Sequence, residues 1–371
     1  MNADEPGFWI DWLCQQALPL WSSAGFDRQS NSGRGSFVER LGLDGAPQHE
    51  VPRRVMVQAR QVHVYATAAR NGWFGDGAEL ALRAGETMIA HYAVDDGKQG
   101  WAFSCTAQGV VIDLRRDLYA HAFVLLALAD LIRLDPNPRY VALVCNTLAF
   151  LEREMAHPAG GFLEQWPVPV LPRRQNPHMH LLEAFLALHE CGAVGDFARQ
   201  IEAMIALFDR WFMASPDAVL PEFFDDHWTP VDGGRTFEPG HHFEWVWLLT
   251  RCTVVCGIPA GDRIDRLMRQ ALRGVDAQGG VVDQVGPAGP LARTYRLWPA
   301  MEAAKAFAIP TGHAARPNGV GEVLGSARHR FLAPAVPGGW IDRTDRHGLS
   351  LVDHMPASSL YHICTALDFL R

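Results

Sequence analysis

Apolar residues along this chain recur mostly at steps of three and four, the spacing that lines one face of an α-helix. Over 53–71, for example, Val55, Val62, Tyr65, Ala66 and Ala69 fall on one side. The same pattern predicts twelve helices, near 5–22, 53–71, 77–92, 116–134, 138–155, 177–191, 196–213, 241–256, 260–274, 296–308, 317–331 and 357–370. Asp76 and Asp117 stand where N-caps belong, Asn176 can cap the helix that Pro177 opens, and short loops with Gly or Pro separate the stretches.

Short extended segments punctuate the helices in register. Gly100-Trp101-Ala102-Phe103, Gly161-Phe162-Leu163-Glu164, Val219-Leu220-Pro221-Glu222, Gly280-Val281-Val282-Asp283 and Gly339-Trp340-Ile341-Asp342 begin at 100, 161, 219, 280 and 339. One such segment with two helices makes a unit of roughly sixty residues, and six units account for the chain. The expectation is an all-α fold with residues 1–371 as one domain: six helical hairpins in a closed toroid, with short β-hairpin loops at one end. An open solenoid of the same hairpins competes. Both terminal helices are apolar (Phe8, Trp9, Trp12 and Leu13; Leu360, Ile363, Leu367 and Leu370), which favours a ring in which they pack together. A ring also directs the starts of its inner helices into one central funnel, so polar residues at helix starts are the candidates for chemistry.

Composition narrows the possibilities. The 371 residues are 48% apolar and 20% charged, which excludes wholesale disorder. A net charge of -8 without any Lys/Arg run argues against a nucleic-acid surface. Seven scattered cysteines, an odd number, do not form a disulfide framework. The start of the chain is acidic and lacks a secretion pattern, and the longest apolar stretch, 122–132, is broken by Asp130 and falls short of the roughly 20 residues a bilayer span needs. A soluble cytoplasmic protein acting on a small molecule is expected, with no membrane or nucleic-acid partner; assembly into a homo-oligomer is left open.

Five clusters carry candidate chemistry. They are Glu238-Pro239-Gly240-His241-His242-Phe243-Glu244-Trp245, Arg173-Arg174-Gln175-Asn176-Pro177-His178-Met179-His180 continuing to Glu183, Met355-Pro356-Ala357-Ser358-Ser359-Leu360-Tyr361-His362, Gln58-Ala59-Arg60, and Trp298-Pro299-Ala300-Met301-Glu302. His241 and Glu244 share a helical face, as do His180 and Glu183. Each residue has a plainer explanation: a histidine at a helix start is often a cap, Glu183 and Glu302 could be buried ion-pair partners, and the tryptophans could be core. His242 points about 100° away from His241, so one of the pair faces the funnel. Metal ligation through His178, His180, His241 and Glu244 lacks the i, i+4 pair of a helical zinc motif, and Cys252 and Cys256 lie among apolar residues as core thiols. No Gly-x-Ser-x-Gly elbow, phosphate loop or dinucleotide fingerprint occurs. Glycoside hydrolysis needs two facing carboxylates, for which Glu183, Glu244 and Glu302 are candidates; the histidines beside them favour proton transfer near neutral pH instead.

From about residue 53 onward the chain resembles the N-acylglucosamine 2-epimerase superfamily, and within it the mannose isomerase branch. Gln58-Ala59-Arg60, Asp117-Leu118-Tyr119-Ala120-His121, Gln175-Asn176-Pro177-His178-Met179-His180-Leu181-Leu182-Glu183, Pro239-Gly240-His241-His242-Phe243-Glu244-Trp245, Leu297-Trp298-Pro299-Ala300-Met301-Glu302 and Pro356-Ala357-Ser358-Ser359-Leu360-Tyr361-His362 carry the resemblance. It implies an (α/α)6 barrel and an enzyme that interconverts aldoses with ketoses or C2 epimers without metal or organic cofactor. By resemblance His241 and His362 are the catalytic acid/base pair. His180 is a third histidine tied to ring opening and hydroxyl binding. Arg60, Tyr119, Asn176, Glu183, Glu244, Trp298 and Glu302 line the sugar site.

The chemistry expected on that basis is aldose–ketose isomerisation of free D-mannose and D-fructose, or of related aldoses such as D-lyxose. A neutral imidazole removes the C2 proton, acidified by the C1 carbonyl, to give a cis-enediol, and Arg60 stabilises the developing charge. A sugar 2-epimerase (mannose/glucose, cellobiose or N-acylglucosamine type) is the alternative, since the same residues could return the proton to the opposite face of C2; a glycoside hydrolase on the same fold is the other.

Overall fold

The computed structural model describes residues 5–371 except 31–32, 98, 215–218, 311–318 and 333–335. Twelve helical rods follow one another. The first, α1, spans residues 5–23, with a π-turn at Leu13–Ala17 joining Glu5–Trp12 to Leu18–Ser23. Then come α2 (Val55–Arg70), α3 (Gly77–Tyr92), α4 (Leu118–Leu134), α5 (Pro138–Phe150), α6 (Asn176–Cys191), α7 (Ala198–Leu207), α8 (Pro239–Cys256), α9 (Arg263–Ala271), α10 (Leu297–Ala308), α11 (Val320–Phe331) and α12 (Ser359–Leu370). Of the helix expected over 317–331, residues 317–318 lie outside the described residues. Asp117 caps α4 by accepting from the Ala120 amide at 2.9 Å, as expected, whereas Asp76 makes no side-chain cap bond.

The even-numbered helices form the inner circle. Each touches the next, and α12 returns to α2, so the ring is closed; each odd-numbered helix packs outside. Sequence explains the sorting. The inner α4 is apolar nearly all round and buried over most of its length. The outer α9 buries only Leu267, Met268 and Ala271 and gives its other faces to Arg and Asp. Closure is sealed by α1: Trp9 Nε1 donates to the Leu324 carbonyl at 3.1 Å, and Trp21 stacks on Trp340 at 5.6 Å. Burying each such side chain contributes about 2 kcal/mol. This is an (α/α)6 barrel.

The extended segments are joints between units. The residues just before an inner helix pair antiparallel with a segment of the next unit: Arg53–Arg54 with Ser104–Cys105, Arg116–Asp117 with Gln165–Trp166, and Arg173–Arg174 with Phe223–Phe224. Arg296 pairs with Arg343, and His354–Pro356 close the circle by pairing with Arg40–Gly42. These ladders lie at the end where the inner helices begin.

Two recurring devices fix the joints. In three units a histidine of the inner helix clamps the extended segment. Its Nδ1–H donates to the carbonyl four residues back, and its Nε2 accepts a backbone amide from the segment. His121 accepts from Trp101, His178 from Phe162 and His242 from Leu220, at 3.1, 2.9 and 3.1 Å. Burial holds all three rings neutral, with pKa values down to about 4, 3 and 4. Gly161, at φ +68°, leaves room for this clamp: a Cβ there would lie 2.7 Å from His178 Nε2. In the second device, an acid at the fourth position of the segment grips an arginine ahead of the inner helix. Glu164 takes both the amide and Nε of Arg174, at 2.7 and 2.8 Å. Glu39 takes those of Arg54, and Asp283 takes Nε of Arg296.

Candidate active site

The starts of all six inner helices enclose a cavity of about 340 Å³. Each helix supplies at least one side chain: Arg60 from α2, Tyr119 from α4, Asn176 and His180 from α6, His241 and Glu244 from α8, Trp298 from α10, and His362 from α12. Eight of the ten residues singled out in the sequence therefore line one space. Glu183 and Glu302 stand behind it and hold the histidines that do.

Trp298 lies between the two imidazoles expected to react, its ring centroid 4.9 Å from that of His241 and 5.4 Å from that of His362. Gly240 makes this possible, because a Cβ there would sit 2.5 Å from the indole. On one side, His362 donates Nδ1–H to Glu302 at 2.7 Å, and Glu302 also pairs with the buried Lys305 at 2.6 Å. Burial lowers the His362 pKa to about 4; Glu302 opposes that, but Arg60 and Lys305 reinforce it. His362 is thus a neutral ring whose Nε2 carries a lone pair.

On the other side, His241 donates Nδ1–H to Glu222 at 2.8 Å. Burial alone would favour the neutral ring, but the charge and hydrogen bond of Glu222, with Glu238 beyond, outweigh it and lift the pKa to about 9. His241 is therefore an imidazolium at neutral pH. The Asn176 amide faces its Nε2 at 3.0 Å through Nδ2, and Asn176 Oδ1 is buried without a partner. A half-turn of that amide presents Oδ1 to an Nε2–H, so Asn176 can serve His241 with or without its proton. Asn176 is the first residue of α6 and is not a cap, contrary to the sequence expectation.

The third histidine, His180, donates Nδ1–H to Glu183 at 2.9 Å, and Tyr361 donates its hydroxyl to the other oxygen of that carboxylate. Burial lowers the pKa of His180 to about 4 despite Glu183. Arg60 is 4% exposed and, among the described residues, has no carboxylate partner. It donates to Tyr119 Oη at 2.5 Å and lies over the rings of Phe123 and Tyr361 at 4.0 and 4.9 Å, so aromatic faces solvate its charge.

Sequence reasoning missed Glu222, Arg174, Glu238 and Arg296 as parts of this wall. Glu222 had one visible signal: it occupies the fourth position of its repeat segment, from which Glu164 and Asp283 grip an arginine in their units. Here Glu238 stands in place of that arginine and gives Glu222 only its backbone amide, at 3.2 Å. Arg296 neutralises Glu238 at 2.9 Å. His242, the doubtful neighbour of His241, belongs to the structural clamp. Among the described residues, one group of metal-ligand type brings its donor atoms within 4.8 Å of one another: Glu244, Glu302 and His362. Lys305 already supplies a cation to that group and makes it a poor metal cage. A larger cavity, about 520 Å³, opens at the opposite end of the barrel. Its polar side chains pair with one another, as in Arg251–Glu190, Arg70–Asp368 and His63–Asp130.

The sequence matches the model of the N-acylglucosamine 2-epimerase (GlcNAc 2-epimerase) family over residues 35–366. The chain belongs to this family of sugar isomerases and epimerases. It is 36% identical over 380 aligned residues to a mannose-6-phosphate isomerase of Rhizobium meliloti (strain 1021), covering 96% of this chain and 94% of that protein. It is 32% identical to a D-mannose isomerase of Thermobifida fusca over 55% of this chain and 54% of the relative. Among solved structures, a D-mannose isomerase superposes with a TM-score of 0.86 at 16% identity, covering 100% and 99% of the two chains, a likeness of fold. No helix among the described residues is long and apolar enough to cross a membrane.

Proposed function

We propose that this protein is an aldose–ketose isomerase of free monosaccharides that interconverts D-mannose and D-fructose through a cis-enediol. The observation that carries the reading is two imidazoles, His241 and His362, each bonded through Nδ1 to a carboxylate and facing a single cavity, with an arginine beside them that no carboxylate among the described residues neutralises; Glu222 favours the protonated ring at His241 and burial the neutral ring at His362. His362 Nε2 takes the C2 proton of the open-chain aldose as its electron pair forms the C1–C2 double bond, and His241 Nε2–H gives a proton to O1. Arg60 stabilises the negative charge between these transfers. His362 then returns its proton to C1 while His241 recovers one from O2, leaving a C2 carbonyl. The amide of Asn176 follows His241 through both states. Tyr119, His180, Glu244 and Trp298 hold the sugar; Glu183 and Glu302 set the tautomers of their histidines.

The lining favours an uncharged sugar. Arg174 and Arg296 are already engaged by Glu164, Glu238 and Asp283, while Glu222, Glu238 and Asp342 also face the cavity. A phosphate dianion needs several free cations and finds one in Arg60. A hydrolase is disfavoured because Glu302 is tied to His362 and Lys305 and is not free to act as nucleophile. Return of the proton to the opposite face of C2, as in an epimerase, would use the same imidazole pair. The test is turnover of D-mannose in D2O with products assigned by NMR, alongside D-glucose, D-lyxose and D-mannose 6-phosphate. Fructose labelled at C1 is expected. An aldose labelled at C2 would make the protein an epimerase, and turnover confined to the phosphorylated sugar would overturn the assignment of substrate.

A further inference from the structure

Six carboxylates line or back the sugar cavity, and five have hydrogen-bonded partners; Arg296 donates to Glu238 and Ser359 to Asp342. Glu222 holds His241, Glu183 holds His180 and Tyr361, and Glu302 holds His362. Glu244 is the exception: it is 1% exposed, and neither of its oxygens meets a donor among the described residues. Its surroundings are hostile to negative charge. Glu302 approaches from α10 with a carboxylate oxygen within 4.8 Å, its charge already shared between Lys305 and His362. From α6, His180 turns Nε2 toward Glu244 Oε1 at 3.8 Å. Since His180 spends its ring proton on Glu183, that nitrogen presents a lone pair. A carboxylate there would set lone pair against lone pair in a site closed to water, which is costly for an unpaired ion. A carboxylic acid would not.

We propose that Glu244 works as a neutral carboxylic acid that donates a hydrogen bond to a substrate oxygen. Resting on the reading of the site as a sugar isomerase, this adds a proton donor to Arg60 where charge develops on the enediolate, and gives the cavity a group that can donate to one sugar oxygen while accepting from the neighbouring hydroxyl. Burial, with the charges of Glu302 and Glu183 added and those of Lys305 and His241 opposing, drives the Glu244 pKa well above the usual carboxylate range, in agreement with the contacts.

The test is infrared difference spectroscopy of the full chain at pH 7, wild type minus Glu244→Gln, with kcat/KM for D-mannose measured in parallel. A protonated-carboxyl C=O band present in wild type and missing from the variant is expected. Glutamine imitates the shape and donor of a carboxylic acid, so Glu244→Gln should lose about tenfold, and Glu244→Ala about 100- to 1,000-fold, the usual loss for one such donor. Loss of a carboxylate band in place of the protonated one, or a Gln variant as slow as the Ala variant, overturns the proposal. Should the variants fail to fold, the wild-type spectrum before and after adding D-mannose decides: a protonated band that shifts on binding supports the proposal, and its absence ends it. A wild type that turns over none of the aldoses but shows the band would sink the isomerase reading while leaving the neutral Glu244 in place.

Discussion

The two walls of the cavity use the same device to opposite effect. At His241 and at His362 an imidazole gives its Nδ1 proton to a carboxylate and aims Nε2 at the same space, with Trp298 between them. On the His241 wall two acids, Glu222 and Glu238, outweigh burial. On the His362 wall a single acid is opposed by Lys305 and Arg60, and burial prevails. The same imidazole–carboxylate bond thus leaves one ring protonated and the other neutral, because the charges around it differ: Glu238 adds to Glu222 at His241, whereas Lys305 and Arg60 oppose Glu302 at His362.

The strongest way to break the comparison is to remove one ring. His362→Ala should lower kcat by about 10²- to 10⁴-fold, the usual worth of a general base, with the melting temperature changed little. Near-wild-type turnover would exclude it from proton transfer, and the same holds for His241→Ala. A finer test moves the charges and keeps the rings. In wild type, kcat/KM should hold between pH values of about 4 and 9, falling below as His362 gains a proton and above as His241 loses one. Glu222→Gln removes the main force on His241 and should draw the alkaline limb down toward the ordinary histidine value of about 6.5. An unmoved limb would mean another group sets it.

The clamping histidines give a third contrast, read in stability. His121, His178 and His242 are depressed in the folded state below the unfolded value of about 6.5. The unfolded chain therefore binds more protons as pH falls, and their contribution, complete above that value, is lost as pH drops toward 4. Thermal unfolding followed across this window should show a falling melting temperature, less steep in His178→Gln; equal slopes would clear His178 of the effect. His241 has the opposite sign, contributing below about 6.5 and losing its contribution as pH rises through about 9. The smallest expected effect is from EDTA, which should leave turnover unchanged, since Lys305 already occupies the cationic position beside Glu302. Loss that added metal restores would contradict this.

The ring was legible because burial on two faces writes itself into helical periodicity, and because Gly161 and its counterparts mark the joints. The inward-facing histidines could be picked out as a set, since six helix starts must converge in a closed ring. What the pattern could not give was the division of labour between His241 and His242. Adjacent on one helix, they differ only in what the rest of the chain brings to them: the carboxylate of Glu222 to one, the backbone amide of Leu220 to the other. Glu183 and Glu302 were equally visible, but their place behind the rings depends on which face each helix turns inward. Asn176 has the right identity for a cap and became a partner of His241 because α6 begins one residue earlier than Pro177 suggests.

In the other joints that carry this device, the acid at the fourth position of the extended segment is spent on an arginine. In the joint that carries His241 that arginine is withheld, Glu238 stands in its place, and the freed carboxylate turns to the imidazole. A fastener common to the scaffold has become a reagent by the omission of one cation. Putting it back, as Glu238→Arg, should tighten this corner of the ring and at the same stroke disarm it.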